Sequence, residues 1–579
     1  MPEDDPTLGP RLHDPAMLVG TVASVAVAYY ASPFLHGPWE FIASWDDSIN
    51  FLDNTMIQQP LSISSIVSMF TTVKINVYEP LSWLLKALVH SVWGMDPFAV
   101  RIVTLVLHWV NCLVLYATSA RLLRQLGQPH PLGCFIGTLL YAVHPIHVEV
   151  VGWPSAQPYA LAMLFTLLCF YTHLHALECT SPHHRRFFSI LSMGLYVCSV
   201  MSKSAAILVP VGIVATDIVL STPPQPCSWN RRATTLALLR YAISKAGYGV
   251  SMLGLACMTA AANADGAMVD TDILHLSMTQ RCVKAVVVLL WPVRKLLWPT
   301  PLRYHYQLPS TLHASWIDSP LWLLSATATA GITTWCIVRA RRTHSVAALA
   351  AWTFYLAMLL PVSGLVQHGL VVLAADRYVY FPAIVVVPVV GQLFTYIDTM
   401  CYPWNRTLAV VSLCAVALCL AHVATLQLES WRTAEAVFRH GLKSDPTDWR
   451  ILDQLQELLL ETRPAEATLY LQQTLRYSPR HGLKAQLQIA KCHMLLGQST
   501  EACAIYESLH EQYPTYAHVL NNMGICHWKQ GRLRAARDLF VRAAANGTGL
   551  TRGDQSPQTN IILVDAWDPR TPVVARIMW

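Results

Sequence analysis

Residues 41–80, FIASWDDSINFLDNTMIQQPLSISSIVSMFTTVKINVYEP, decide how the rest of this chain is read. They separate the first apolar run from the second, and Trp45-Asp46-Asp47 stands near their start. Two adjacent carboxylates beside a membrane are each costly to desolvate, and mutual repulsion should raise the pKa of one. Such a pair suits a general base that must accept a proton. The plainer reading is a solvated turn that caps the following helix. Whether the pair is chemistry or decoration depends on what surrounds it.

The surroundings are apolar. Of 579 residues, 54% are hydrophobic and only 13% charged, with a mean hydropathy of +0.38. A soluble domain averages about 25% charged, so the composition points to a polytopic membrane protein. The net charge of +6 resides in loops between apolar runs, the footprint of membrane topology, and gives no reason to invoke nucleic acid. The 15 cysteines lie mostly within apolar runs and show no C-x-x-C spacing. Neither a zinc site nor a disulfide framework is expected from them; they read as small buried hydrophobes.

Eleven runs are candidates to cross a bilayer: 15–35, 98–120, 132–150, 157–177, 187–201, 203–220, 240–262, 320–338, 345–366, 377–397 and 406–427. A spanning helix needs about 20 residues, and the first run serves as a signal anchor. With the N-terminus cytosolic, Arg121, Arg124, Arg185, Arg186, Arg231, Arg232, Arg339, Arg341, Arg342 and Arg406 fall in cytosolic loops, as the positive-inside rule prefers. The short run 285–293 is then an interfacial segment. This gives a transmembrane domain over 1–428 with lumenal loops 36–97 and 263–319.

The character changes after Gln427. Pro446, Pro479 and Pro514 recur 33 and 35 residues apart, each closing an amphipathic helix, and Leu496-Gly497 and Gln530-Gly531 end the intervening ones. That period is the tetratricopeptide signature. About three repeats over 429–547 stack into an α-solenoid with a concave groove. The tail 548–579 is a loose terminus or a strap over the last repeat. The fold class is therefore all-α: a multi-pass membrane domain followed by a helical-repeat domain.

This topology puts four ionisable clusters on one face. They are Trp45-Asp46-Asp47, His144-Pro-Ile-His147-Val-Glu149, Lys203, and Asp376-Arg377-Tyr378. Ionisable groups at membrane depth are functional-site candidates. Asp46 or Asp47 could deprotonate an attacking hydroxyl. Arg377 as a fork and Lys203 as a point charge could hold a phosphate, with His144 or His147 adding hydrogen bonds and Glu149, Trp45, Asp376 and Tyr378 supporting. Fixed cations could then stabilise a lipid-monophosphate leaving group without metal or other cofactor. The plainer alternatives are interfacial or capping histidines, an ion pair at a helix end for Asp376 and Arg377, and a snorkelling Lys203. His144, His147 and Glu149 are weak metal-ligand candidates. Asp217 reads as structural.

The segments WDDSINFLDN, NVYEPLSW, GMDPFAVRIVTLVLHWVNCLVLY, LLYAVHPIHVEVVGW, VMSKSAAILVP and HGLVVLAADRYVYFP, followed by a tetratricopeptide array, together resemble the transmembrane-and-tetratricopeptide (TMTC-like) proteins of the GT-C glycosyltransferases. The resemblance runs from about residue 40 to 545. It implies a GT-C fold with Asp46 and Asp47 as the acidic pair of the first lumenal loop, His144, His147 and Glu149 as the HPxHxE segment, Lys203 as the SK motif and Arg377 as the RYxYxP motif. It also implies, for eukaryotic members, protein O-mannosyltransfer from dolichyl-phosphate mannose, and the co-facial Asp, Lys, His and Arg clusters lead to the expectation of an inverting transfer of a hexose from a polyprenyl-phosphate sugar to Ser or Thr of acceptor proteins. The repeats would lie in the endoplasmic reticulum lumen and present acceptors through their groove. Three segments depart from the family pattern. Glu79-Pro80-Leu81-Ser82 stands where members have Arg- or His-Pro-Leu-Thr, Ser202-Lys203-Ser204 where many have Ser-Lys-Glu, and WPSAQPYAL follows the HPxHxE segment without a charge. A membrane-anchored scaffold without catalysis is the competing reading. A transporter is disfavoured because the membrane region shows no internal repeat.

Overall fold

The computed structural model describes residues 33–34, 37–74, 77–221, 231–265, 276–308, 320–343, 345–366, 372–399, 403–478, 482–546 and 556–565. Among them the structure is helical, with one isolated bridge between Lys74 and Val77. The chain divides into two compact units, Met1–Val437 and Phe438–Trp579. The expected first span, 15–35, lies almost wholly outside the described residues.

Six described helices are long and apolar enough to cross a bilayer: Pro97–Gln125, Pro154–Glu178, Ser204–Ser221, Pro320–Thr343, Pro382–Thr399 and Asn405–Glu429. A seventh is added if Pro131–Ala142 and Pro145–Gly152, bent by 52°, form one span. That bend has a local cause. Pro145 cannot donate to the preceding turn, and the His144 side chain accepts from the Ile146 N–H to start a new helix. The expected runs 187–201, 240–262 and 345–366 fall within the helices Pro182–Ser202, Arg231–Asp265 and Ala347–Leu359. The run 285–293 belongs to a longer helix, Met278–Leu297, that keeps Pro292 inside it.

The core of this unit is aromatic and aliphatic, built around Tyr141, Met163, Phe170, Tyr196, Ile213, Tyr380 and Phe381. Glycine permits a close backbone crossing in this unit. A Cβ on Gly133 would lie 2.9 Å from the Gly391 Cα, and one on Gly137 2.8 Å from the Val387 Cα. Small residues thus let Pro131–Ala142 and Val386–Thr399 approach backbone to backbone, as membrane helices commonly do. Between the spans, residues 43–93 fold as the wide helical turn Ala43–Leu52, two short helices and the longer helix Pro80–Trp93. A second small core, with Phe51, Ile57, Met69, Trp83 and Ala87, holds this loop together.

The second unit contains three helix pairs: Trp449–Leu459 with Pro464–Tyr477, Gly482–Leu495 with Ser499–Gln512, and Ala517–Lys529 with Leu533–Asn546. Gly497 (φ 78°) and Gly531 (φ 77°) turn the chain inside two of them, a conformation that favours glycine. Leu487, Ala502, Tyr506, Leu520 and Phe540 fill the space between pairs. A further helix, Ser556–Asp565, follows the last pair. Asn560 Nδ2 donates to Asn521 Oδ1 at 2.9 Å, and Arg537 pairs with Asp565. The described part of the tail is therefore a strap on the last repeat. One expectation is corrected here. Cys503 and Cys526 form a disulfide, which the absence of close cysteine spacing had argued against. Their 23-residue separation carries no motif; packing of one helix pair on the next brings them together.

Candidate active site

The acidic loop treats its two aspartates differently. A kink at Trp45 (φ −104°, ψ −108°) interrupts the turn Ala43–Leu52. Asp47 is fully buried beyond it. Its Oδ2 accepts from the Ile42 N–H at 2.8 Å, and its Oδ1 accepts from the Ser155 N–H at 3.1 Å and from the Ser155 hydroxyl. Burial pushes its pKa up to about 6, against those hydrogen bonds and the Arg101 charge. The expected rise is present, but desolvation causes it, and Asp46 is the smallest contributor. Asp46 is exposed, and its carbonyl accepts from Asn50 Nδ2 at 3.0 Å. The Trp45 ring packs edge-on against Tyr304 at 4.9 Å and lies 6.0 Å from His305.

Lys203 lies at the turn between the helices Pro182–Ser202 and Val209–Ser221. Its Nζ is 2.6 Å from Glu79 Oε1 and 5.4 Å from the Tyr159 ring centre. The Ser82 hydroxyl donates to the Ser202 carbonyl at 2.6 Å, so the start of Pro80–Trp93 docks on this turn. Lys203 is thus a cation already matched by Glu79, a partner that the sequence reading did not assign.

Glu149 and Arg377 form a second pair. The Arg377 backbone N–H donates to Glu149 Oε2 at 2.6 Å, and Nη1 donates to Oε1. The guanidinium lies 5.1 Å from the centres of both Trp153 and Tyr378. Asp376 is buried and accepts from the Tyr306 hydroxyl at 2.7 Å. His144 accepts from the Ile146 N–H at 3.1 Å, and its Nε2 lies 3.1 Å from the Leu296 carbonyl. Neither ring nitrogen of the fully buried His147 has a hydrogen-bond partner among the described residues. It lines, with His144, a cavity of about 130 Å³ whose other walls are largely apolar, including Leu140, Leu296, Val386 and Leu420.

One short segment joins these parts. Between Glu149 and Ser155 the chain presents the Glu149 carboxylate that accepts from Arg377, the Trp153 ring beneath the guanidinium, and the Ser155 donors to Asp47. Two residues of backbone span at most about 7 Å, so the acidic loop and Arg377 meet on adjacent sites of one strip. Tyr159, just beyond it, feels the charges of Arg377, Glu79 and Glu149. The structure therefore brings Asp47, Glu149, Arg377 and Tyr378 to one strip, and Lys203 to its flank. His144 and His147 stand apart on the cavity side. Among the described residues no group of three or more His, Cys, Asp or Glu side chains is arranged to hold a metal.

Sequence reasoning missed Ser155, Glu79, Lys86 and Tyr159. Ser155 and Tyr159 carry no local signal. Lys86 does: it is the single lysine in the apolar helix PLSWLLKALVHSVW. It is buried, with Nζ 2.6 Å from Asn50 Oδ1.

The tetratricopeptide repeat family model matches residues 483–546. The human Protein O-mannosyl-transferase TMTC1 is 24% identical over 440 residues, covering 70% of this chain and 48% of that protein. The mouse protein of the same name is 32% identical over 139 residues, 23% of this chain and 14% of that protein. The chain spans about half the length of the human relative. The expected likeness to TMTC-like proteins is borne out by these relatives. A crystal structure of ArnT from Cupriavidus metallidurans bound to undecaprenyl phosphate matches at 13% identity with a TM-score of 0.35, over 86% of this chain and 80% of that one.

Proposed function

We propose that this chain is a membrane glycosyltransferase of the GT-C type. It moves a hexose, mannose in our reading, from a dolichyl- or polyprenyl-phosphate sugar to a Ser or Thr hydroxyl of a protein. The observation that carries this is the strip from Glu149 to Ser155, which touches the acidic loop at one end and Arg377 at the other.

In this reading Asp46 is the base. It is the exposed member of the pair, whereas Asp47 already accepts from Ile42 and Ser155 and acts by fixing the loop. Asp46 takes the hydroxyl proton as the acceptor oxygen attacks the anomeric carbon. The new C–O bond forms on the face opposite the bond to phosphate. That bond breaks with its electron pair, and the lipid monophosphate leaves, so configuration inverts. Arg377 spends one donor arm on Glu149, and a guanidinium has five N–H donors, so the rest of the fork remains to meet phosphate oxygens. Fixed donors at developing charge are the larger part of such catalysis. The apolar cavity beside His147 suits the prenyl end of the donor.

The reading places the protein in the endoplasmic reticulum membrane, N-terminus cytosolic, with the repeats lumenal and their groove offered to acceptor proteins. The Cys503–Cys526 disulfide supports an oxidising compartment for the repeats. A non-catalytic scaffold is the second reading. It is favoured by the carboxylate partners of both candidate phosphate cations, Glu79 on Lys203 and Glu149 on Arg377. Purified protein assayed with a lipid-phosphate mannose and a Ser/Thr peptide separates the two. Transfer by the wild type, lost in Asp46→Asn while donor binding persists, is the expected result. A protein that neither binds nor consumes the donor is a scaffold.

A further inference from the structure

Lys86 is a buried cation that the mechanism above does not use. Its side chain is 2% exposed, on a helix whose other inward residues include Trp83, Ala87 and Val89. A charged group in such a place needs compensation. Lys86 receives an unusual set of partners. Nζ donates to Asn50 Oδ1 at 2.6 Å, and it lies 4.3 Å from the Trp83 ring centre and 4.9 Å from that of Phe51. Among the described residues it is in no ion pair. Asn50 is itself tied to the acidic loop, since its Nδ2 donates to the Asp46 carbonyl at 3.0 Å. The Asn50 carbonyl in turn accepts from Asn54 Nδ2 at 3.2 Å. The amide of Asn50 thus has one end fixed by Lys86 and the other set on the backbone of the proposed base.

We propose that Lys86 is a positioning residue for the transfer: through Asn50 it fixes the Asp46 backbone, and its charge favours the ionised carboxylate at the acidic loop. The inference rests on Asp46 being the base, as read above. Every charged group facing Lys86 bears on it. Asp46 and Asp47 come from the acidic turn, Glu79 from the start of its own helix, and Lys203 from the turn against which that helix docks. Three carboxylates and one other cation surround it, so the ammonium is held electrostatically while donating to an uncharged amide. Cation–π contacts with two rings reduce the cost of burial, and a positive charge near a carboxylate favours its ionised form. Burial pulls the Lys86 pKa down to about 7. Its charge is therefore lost on the alkaline side of neutrality, giving the protein an alkaline limb that Asp46 alone would not produce.

The test uses the full chain in membranes, with a lipid-phosphate mannose donor and a Ser/Thr peptide, over pH 5 to 9. Lys86→Met should lower kcat by about tenfold to a hundredfold, the cost of a small misplacement at a reacting centre, with donor KM unchanged. It should also shift the acid limb to higher pH and remove the alkaline limb. Lys86→Arg should restore the acid limb and move the alkaline limb beyond the range tested. Asn50→Leu, which removes the amide and keeps the cation, should lower kcat while leaving the acid limb near that of the wild type. It also carries the test if Lys86→Met fails to fold. A Lys86→Met protein with the wild-type kcat and pH profile overturns the inference. So does an Asn50→Leu protein with full kcat. A wild type that shows no transfer with any lipid-phosphate sugar removes the proposed function itself, a distinct outcome.

Discussion

Two polar clusters lie near opposite ends of the helix Gln157–Glu178. At one end Tyr159 adjoins Lys203, Glu79 and Arg377. At the other, His173 meets Asp217. Fourteen residues of helix separate the two by about 21 Å. Around Asp217 each charge ends on an opposite charge or a hydroxyl. Its oxygens lie 2.7 Å from His173 Nε2, 2.7 Å from Lys245 Nζ and 2.9 Å from the Tyr241 hydroxyl. Nearby, Glu178 pairs with Arg121 and accepts from Gln125. This staple joins three spans and asks for nothing more. At the Tyr159 end Lys203 and Arg377 are likewise matched, by Glu79 and Glu149, but the acidic loop beside them is built differently. Asp47 accepts only from neutral donors and Lys86 donates to an amide, although the two are close enough to interact. Mismatched charges of this sort are costly and are kept mainly where chemistry needs them. Depth in the membrane alone does not make a polar group functional; uneven pairing is the sharper sign.

The largest expected effect tests that contrast directly. Asp46→Asn should lower transfer by about 10²–10⁴-fold, the usual worth of a general base. Asp217→Asn should lower the thermal stability of the membrane domain and leave kcat and KM unchanged. If Asp217→Asn abolishes transfer in a protein that is still folded, the two clusters are not the different objects described here.

Next in size is the phosphate end. Arg377→Lys keeps the charge but loses the planar fork, one arm of which engages Glu149 while the rest is left for phosphate oxygens, and the two cations are not interchangeable in that role. Donor KM should rise by about tenfold or more, for a loss of about 1.4 kcal/mol or more in binding. Arg121→Lys, the same change in the staple, should leave donor KM where it was. Measured KM values that move equally in both variants would erase the distinction.

Much of this architecture is legible in the sequence, and the exceptions share a cause. Apolar runs of spanning length announce the candidate spans among the described helices, though 187–201, 240–262 and 345–366 match helices outside that set, and the spacing of Pro446, Pro479 and Pro514 announces the repeats. Trp45-Asp46-Asp47 and Arg377 stand out because charge is rare in this chain. The partners that define their chemistry do not stand out. Lys203 finds Glu79 across 124 residues, Asp47 finds Ser155 across 108, and Arg377 finds Glu149 across 228. Tertiary packing makes these pairs, and nothing local encodes them. The same holds for Cys503 and Cys526. By contrast, the break at His144-Pro145 was readable from Pro145, but the apolar run across it spoke for one span.

Asp47 gives a smaller, pH-dependent signal. Its folded pKa of about 6 lies above the ordinary aspartate value of about 3.9, so the native state holds the proton more tightly than the unfolded chain. The stabilisation is complete below about pH 4 and is lost as pH rises through 6. Moving the titration from about pH 4 to about pH 6 is worth on the order of 3 kcal/mol. Thermal unfolding between pH 4 and 7 should show this slope in the wild type and a flatter one in Asp47→Asn. An unchanged slope in Asp47→Asn would mean that the burial of Asp47 does not govern its titration.

The smallest effect belongs to the staple. Tyr241 donates one hydrogen bond to Asp217, which keeps His173 and Lys245 as partners when that bond is removed. Tyr241→Phe preserves the ring and deletes only the hydroxyl, so the expected cost is about 1–2 kcal/mol, that of a hydrogen bond to a charged group. Because His173 and Lys245 still satisfy the carboxylate, the helices should hold their places and transfer should be unaffected across the pH range. Stability by chemical denaturation and the transfer rate, measured on one preparation, check both halves. A Tyr241→Phe protein with normal stability but impaired transfer would show that the Asp217 end of the helix bears on the reaction, and the division of labour along Gln157–Glu178 would have to be redrawn.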